Sequence, residues 1–480
     1  MGLSPSRQAS DEPSSPILST PATFAAPASV APSAKAKSKE ESSAHVPKEP
    51  KEKEVKASRA EKTSKQPATG SSSSGPGAAA ASASTSASSA PVPDRLVLKG
   101  HSAEVIGCSW NPRNGDLLAS CSADSTVRIW TLQGTARASS AALHHGAKVK
   151  PGMTPPSQVT ALQWDPLGSC LASACFDGTV RFWDAGVGIP KTQLNTKFPA
   201  HTGAIYSVRW SPSSTLVATG GADGCLNLWT HKPGSTAIAA HKFVSLHSQS
   251  ILDIDFGPHH WIASASVDRT IKIVDSAAFS GSSTASGSSS TAASALFSLE
   301  GHSATVNSVR WAPDADLLAS GSEDKTIKLW RPEIPPPTES AGDASGASSA
   351  PRTVSPLQTL TGHSRDVYVL RWNPKVTAQL ASASYDGTVK IWEGRPDMFC
   401  STTLGNHSDA VVTLDFSSSG KLLATGSHDK SICVWDTHNG KLVKQYACSG
   451  RVLEVALSHA EDKLAACCSD NSATIFDLRL

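Results

Sequence analysis

Long apolar runs, C-x-x-C pairs and basic patches interleaved with aromatics are all missing from this 480-residue chain. No stretch of about 18 consecutive apolar residues occurs, and the N-terminus lacks the basic-then-apolar pattern of a secretory leader. The chain is therefore expected to be soluble and not secreted, with no membrane partner. Its 10 cysteines include no C-x-x-C pair, which removes the common zinc and thiol-redox signatures, and no metal or other cofactor is expected. Several of them (Cys108, Cys121, Cys175, Cys433, Cys467) stand in strand-like phrases, where a free thiol packs as a small apolar residue. The "NHS" at Asn406 fits a glycosylation acceptor in form only, since the chain is not read as secreted. No basic patch interleaved with aromatics is present, so direct sequence-specific nucleic-acid binding is not expected. Tyrosine is scarce, with 4 in the whole chain.

What is present divides the chain in two. Residues 1–93 consist mainly of Ala, Ser, Pro, Lys and Glu and offer no periodic apolar face to bury, so they read as a disordered low-complexity tail. The tail carries 11 Lys and Arg against 8 Asp and Glu, and the remainder 32 against 33. Mixed signs make the tail a solvated polyampholyte, while the rest is close to neutral. All 12 Trp and all 10 Cys lie in residues 94–480, the folded region.

Within the folded region a single phrase recurs eight times: an Asp six residues before a bulky apolar residue. The pairs are Asp124/Trp130, Asp177/Trp183, Asp223/Trp229, Asp268/Val274, Asp324/Trp330, Asp386/Trp392, Asp429/Trp435 and Asp470/Phe476. In six repeats a His precedes a β-branched or similar strand residue by four positions: His101, His201, His247, His302, His363 and His407. Between His and Asp run two alternating strands, as in "VNSVRW" and "LLASGS", bounded by turn residues. Four short strands per repeat predict an all-β, eight-bladed propeller. Its repeats fall at about 94–134, 155–185, 197–231, 243–276, 296–331, 357–394, 402–437 and 443–480. Each Asp is placed in the turn between second and third strands, where its carboxylate accepts backbone N–H bonds, and His, a hydroxyl and the Trp indole complete a staple. A nucleophilic triad is excluded because the trio recurs at one spacing, whereas catalysis needs one special copy. No enzymatic activity is expected.

The phrase "DRLVLKGH" (94–101) reads as an outermost strand without a blade in front of it, and "ATIFDLRL" as a last blade short of one strand. Pairing Leu96 to Leu98 with that blade closes the ring and removes both open edges. Two insertions, 276–294 and 332–355, follow third strands and read as flexible linkers on the bottom face; a third, 145–157, precedes a first strand and belongs to the top.

These phrases resemble the WD40 superfamily over 94–480. More narrowly, the long insertion before "VTALQW", the phrases "FDGTVRFW" and "GAIYSVRW", the Trp-less "IKIVD" and the terminal "DLR" resemble the transducin beta-like, F-box-like/WD-repeat subunits of nuclear histone deacetylase corepressor complexes. That resemblance implies a nuclear scaffold whose partners are a histone deacetylase, corepressor subunits and histone tails, with the cytoplasm as the alternative location. An adaptor for mRNA export or ubiquitin-ligase substrate recognition is the other reading. Residues 1–93 hold no amphipathic helix able to form the LisH or F-box-like segments of that family.

Residues just before each turn Asp, and those around the start of each inner strand, are expected to face the top opening. From these sets the partner-binding candidates are Glu104, Phe176, Tyr206, Glu323, Asp366, Tyr368, Tyr385, His428 and Arg451. Three of the four tyrosines gather here although other repeats use Ala, Val or Ser at the same places, and amphipathic aromatics are what a binding hot spot needs. Three acids against one Arg tilt the face toward a basic ligand.

Overall fold

A turn closed by an Asp side chain, repeated at fixed spacing between alternating strands, folds each repeat into a meander of antiparallel strands. The computed structural model describes residues 95–479 except 135–136, 146–156, 185–191, 200, 233–237, 277–294, 315–316, 334–349 and 396, with side chains undescribed at 192–199 and 239–244. The expected disordered tail and most of the insertions at 145–157 and 276–294 lie outside the described residues.

Eight sheets form, each led by an inner strand: Val105–Trp110, Val159–Trp164, Ile205–Trp210, Ile251–Phe256, Val306–Trp311, Val367–Trp372, Val411–Phe416 and Val452–Leu457. We number the blades 1 to 8 in that order. Blade 6 is typical, running outward through Val367–Trp372, Gln379–Ser384, Val389–Glu393 and Phe399–Leu404. Successive inner strands are neighbours, and that of blade 1 also meets that of blade 8, so the ring is closed. Blade 8 takes its outer strand from the other end of the fold: Arg95–Lys99 pairs antiparallel with Ser472–Asp477, Arg95 opposite Phe476 and Lys99 opposite Ser472. Sequence repeat and sheet are thus offset by one strand, which locks the ring with a five-residue ladder.

Tryptophan ties the blades together. The indole N–H at the end of an inner strand donates to the preceding blade: Trp164 to the Ser109 carbonyl (3.1 Å), Trp210 to Gln163 (3.1 Å), Trp372 to Arg310 (3.0 Å), and Trp110 to Ala456 across the closure (3.0 Å). Apolar clusters fill the space between adjacent sheets. Phe182 of blade 2, for example, lies edge-on to Trp210 and Trp229 of blade 3 in a cluster with Val180, Ile205 and Val217. Trp229 and Trp330 are fully buried, and truncating either to Ala should cost about 3–5 kcal/mol.

One linker expectation is corrected. Arg352–Val354, at the end of the 332–355 insertion, forms a fifth strand parallel to Phe297–Leu299 on the edge of blade 4. That outer strand is only three residues long, and the added strand covers backbone groups that would otherwise face solvent. A 3-10 turn lies at Pro258–His260, and no helix among the described residues is long and apolar enough to cross a membrane.

Candidate interaction face

The staples come first, because they hold the face in place. In six blades the His Nδ1 meets the turn Asp carboxylate: His101–Asp124 (3.0 Å), His201–Asp223 (2.8 Å), His247–Asp268 (2.9 Å), His302–Asp324 (2.7 Å), His363–Asp386 (2.9 Å) and His407–Asp429 (3.0 Å). The His Nε2 meets a buried Ser or Thr hydroxyl that also accepts from the blade's Trp, as in Trp130 to Ser120, Trp229 to Thr219, Trp330 to Ser320, Trp392 to Ser382 and Trp435 to Thr425. Burial raises the pKa of these carboxyls, but bonds from His, hydroxyl and backbone outweigh it, and Asp124, Asp268, Asp324 and Asp386 all lie well below the usual carboxylate range.

Blade 2 has a staple that spacing did not reveal. His145 donates to or accepts from Ser173 (2.6 Å), which also bonds Trp183 (2.8 Å). Its Nδ1 has no hydrogen-bond partner among the described residues, and burial, then Arg181, pushes its pKa down to about 3. Asp177 instead accepts the Thr179 amide and hydroxyl. A second missed element is the residue two after the Asp: Thr126, Thr270, Thr326 and Thr388 cap the same carboxylate with a hydroxyl at 2.6–2.7 Å.

Above the staples lies a regular rim. In every blade the amide of the pre-Asp residue donates to the carbonyl of the residue preceding the inner strand: Ala123 to Glu104, Phe176 to Gln158, Ala222 to Ala204, Val267 to Ser250, Glu323 to Thr305, Tyr385 to Asp366, His428 to Ala410 and Ser469 to Arg451, at 2.8–3.1 Å. Seven of the nine candidates sit on this rim. The other two, Tyr206 and Tyr368, are the second residues of their inner strands, where all eight strands break register with a one-residue bulge. A bulge re-aims its side chain, and both tyrosines line the mouth of the central channel.

The structure gathers the candidates into separate groups. Across blades 5 and 6, Tyr368 and Tyr385 stack with ring centroids 5.1 Å apart, and Asp366 and Glu323 lie beside them. Burial and then Asp366 push the Tyr385 phenol up to about 12, and burial raises Glu323, with Asp366 adding to it. The exposed Arg365, not among the sequence candidates, holds its guanidinium 6.0 Å from the Tyr385 centroid. Across blades 1 and 8, Arg451 reaches Glu104 at 3.8 Å, so that acid is partly neutralised. His428, half-buried in blade 7, has its pKa lowered by burial and by Arg451. Tyr206 packs with Ala204 and Leu252. Accessibility differs as well: Tyr206 and Tyr368 are 4% exposed, while Phe176 is 47% exposed.

Beneath the rim the channel holds a charged network. Asp253 receives Arg310 at 2.5 Å and Arg209 at 3.3 Å. Burial raises this carboxyl, yet the two guanidiniums prevail and its pKa is lowered. Burial pushes Glu454 up to about 7 and Asp415 to about 6, and together with Arg310 and Arg209 it lowers Arg371 to about 10. The cavity amounts to about 70 Å³, room for a few waters and too little for an organic ligand. Among the described residues no cluster of three or more His, Cys, Asp or Glu is arranged to hold a metal ion.

Eight blades, seven of four strands and one of five, with the full Asp–His–hydroxyl–Trp staple in blades 1, 3, 5, 6 and 7, define a β-propeller. The chain belongs to the WD domain, G-beta repeat family, which matches residues 94–131, 150–184, 192–230, 241–275, 293–331, 354–393 and 398–436. Within that family it is similar to the transducin beta-like proteins: mouse F-box-like/WD repeat-containing protein TBL1X, at 30% identity over 81% of this chain and 68% of that protein, and human TBL1Y, at 30% over 80% and 67%. The Arabidopsis thaliana WD40 repeat-containing protein HOS15 is 31% identical over 81% of this chain, which spans only 59% of HOS15. Among solved structures, the C-terminal WD40 domain of Sif2 superimposes with a TM-score of 0.60 at 17% identity, covering 80% of this chain and 98% of that domain, which shows the fold alone. Blade 8 is not among the matched repeats; it has Cys448, Ala466 and Phe476 where most sister blades have His, Ser or Thr, and Trp.

Proposed function

We propose that this protein is a non-catalytic scaffold of a nuclear histone deacetylase corepressor assembly, and that it engages basic peptides such as histone tails on its top rim. The observation that carries the peptide-binding reading is the stacked Tyr368–Tyr385 pair flanked by Asp366 and Glu323. A rigid aromatic surface edged with carboxylates suits an aliphatic stem ending in a cation. Kinship with TBL1X, TBL1Y and HOS15 supports the nuclear corepressor setting. Phe176, His428, Arg451, Glu104 and Tyr206 border the rim and extend the surface around the ring.

Titration of the purified chain with basic peptides tests the site. Tyr385→Ala should weaken binding about 30-fold, the equivalent of about 2 kcal/mol for a central aromatic anchor. Glu323→Lys should weaken it at low salt and less at high salt. Unchanged binding in both variants would remove the rim from the proposal. Affinity capture from nuclear extract tests the setting: a histone deacetylase with its corepressor scaffold is expected, whereas export factors or a cullin alone would favour the adaptor reading.

A further inference from the structure

In blade 6 the second residue after the staple His is Arg365, where the sister blades place Ala103, Gly203, Gln249, Ala304, Asp409 and Gly450. The repeat uses this position through its carbonyl. Hydroxyls of Ser122, Ser266, Ser322 and Ser427 donate to Ala103, Gln249, Ala304 and Asp409, and Ser384 donates to Arg365 at 3.2 Å. No particular side chain is required there, so the fold gives no reason for a cation. Its neighbours do. The amide of Tyr385, the residue after Ser384, donates to the carbonyl of Asp366, the residue after Arg365, at 3.1 Å. Two hydrogen bonds thus hold the Arg365 and Asp366 backbone against that of Ser384 and Tyr385. From this fixed base the exposed Arg365 side chain brings its guanidinium to 6.0 Å from the Tyr385 ring centroid. That ring is the one stacked on Tyr368 at 5.1 Å, with Asp366 and Glu323 beside it.

We propose that Arg365 is a built-in placeholder for the ligand of the rim: its guanidinium rests on Tyr385 in the free protein and gives way to the cation of an incoming basic peptide. The inference rests on the rim reading given above and adds how that site is regulated. Two cations at contact distance from one ring repel each other, so the ligand's cation and Arg365 compete for Tyr385. Exchange is easy. A cation–π contact made by an exposed side chain is weak, and water solvates the guanidinium once it swings out. The apparent affinity of the rim is then the intrinsic one reduced by the fraction of molecules whose Tyr385 is uncovered. A lone cation gains little by replacing another, whereas a peptide that makes further contacts along the rim repays the exchange. Arg365 therefore sets a threshold that selects extended basic peptides over single basic side chains.

The test uses Arg365→Ala in the full chain, which installs the residue of blades 1 and 5 and keeps the carbonyl that Ser384 needs, so Tm should not move. The probe is a synthetic peptide of alternating Arg and Gly, with a Gln–Gly peptide as control, titrated calorimetrically. Arg365→Ala should bind the Arg–Gly peptide about 2- to 5-fold more tightly than wild type, the size of an exposed cation–π contact. The ratio should persist at about 0.5 M salt, where charges that are not in contact are screened. It should vanish when both proteins also carry Tyr385→Ala. Binding of the Arg–Gly peptide to neither protein would remove the rim reading and the placeholder with it. Binding that depends on Tyr385 but is equal or weaker in Arg365→Ala would leave the rim standing and overturn the placeholder, making Arg365 an ordinary ligand contact or a bystander. A gain that disappears at high salt, or survives Tyr385→Ala, would overturn it too, by reducing Arg365 to a distant repelling charge.

Discussion

Replacing Asp386 by Ala removes a carboxylate that accepts four hydrogen bonds: from His363 Nδ1 (2.9 Å), the Ser364 amide (2.9 Å), the Thr388 amide (2.9 Å) and the Thr388 hydroxyl (2.6 Å). The Ser364 bond is exposed, so water replaces it. The Thr388 hydroxyl already lies 3.4 Å from His363 Nδ1 and can turn toward it. Two half-buried donors then lack full partners, and at about 1–3 kcal/mol each the loss is about 2–6 kcal/mol. At roughly 2.1 cal/mol/K per residue, a fold of roughly 385 residues moves about 1.2 °C per kcal/mol, which sets the expected drop in Tm at about 2–7 °C. The same substitution in blade 8 is an internal control. There the Asp470 carboxylate accepts the Ser472 amide (3.2 Å) and hydroxyl (2.6 Å), and Cys448 stands where the other blades supply a His, so Asp470→Ala should cost less than half as much. Acid supplies a second check. Burial raises the Asp386 pKa, but His363, Thr388 and Ser364 hold it well below the usual range. Its contribution is therefore present above the unfolded carboxyl pKa near 4 and is lost as pH falls. The gap between wild type and Asp386→Ala, read by calorimetry, should narrow from pH 7 to about pH 3. Equal losses at Asp386 and Asp470, or a gap that ignores pH, would refute the staple reasoning.

Glu454 runs the other way. Burial in the channel pushes its pKa up to about 7, so its charge is a burden that grows between the unfolded pKa of about 4.3 and the folded value and levels off above it. Glu454→Gln, which keeps an acceptor for the Cys108 amide, should raise Tm at pH 8 and change it little at pH 4.5; thermal melts at the two pH values decide. A chain starting at Pro93 should melt at the full-length temperature, whereas one starting at His101 loses the ladder from Arg95 to Lys99 and should aggregate on purification, as light scattering will show.

Much of the architecture was legible because it rests on local covalent geometry. A two-strand turn closed by Asp has one length, so the six-residue step to Trp130, Trp183 and their counterparts survives any change elsewhere. The staple in blade 2 was hidden for the same reason: His145 and Asp177 are separated by the 145–157 insertion, and a spacing rule fails when chain is added between its ends. The bulges at Tyr206 and Tyr368 left no signature, because a bulge is a backbone event that alternation of residue types does not record. The Arg and Asp before the inner-strand aromatics, in "SVRW", "VLRW" and "TLDF", carry no mark of burial in the sequence. Only ring closure turns that side of each strand into a narrow, water-poor channel. Strand Arg352–Val354 was invisible because it follows a low-complexity run and is only three residues long. For the rim, sequence placed the aromatics and acids together but missed Arg365 and the pairing of Glu104 with Arg451, which depend on side-chain reach between blades.

The ladder between Arg95–Lys99 and Ser472–Asp477 also sets a timetable for biosynthesis. Its first strand leaves the ribosome before any blade exists, and its partner, Ser472–Asp477, is made only after the other seven blades. At roughly 5–20 residues per second, Leu96 and Leu98 wait about 20–75 s for their partners. Throughout that interval seven blades assemble as an open arc with two unpaired rims. A nascent-chain pause or premature stop anywhere before Asp477 therefore leaves a species that is mostly folded yet adhesive at both ends. Quality control of this protein should consequently hinge on holding strand Arg95–Lys99 out of trouble until Ser472–Asp477 has been made.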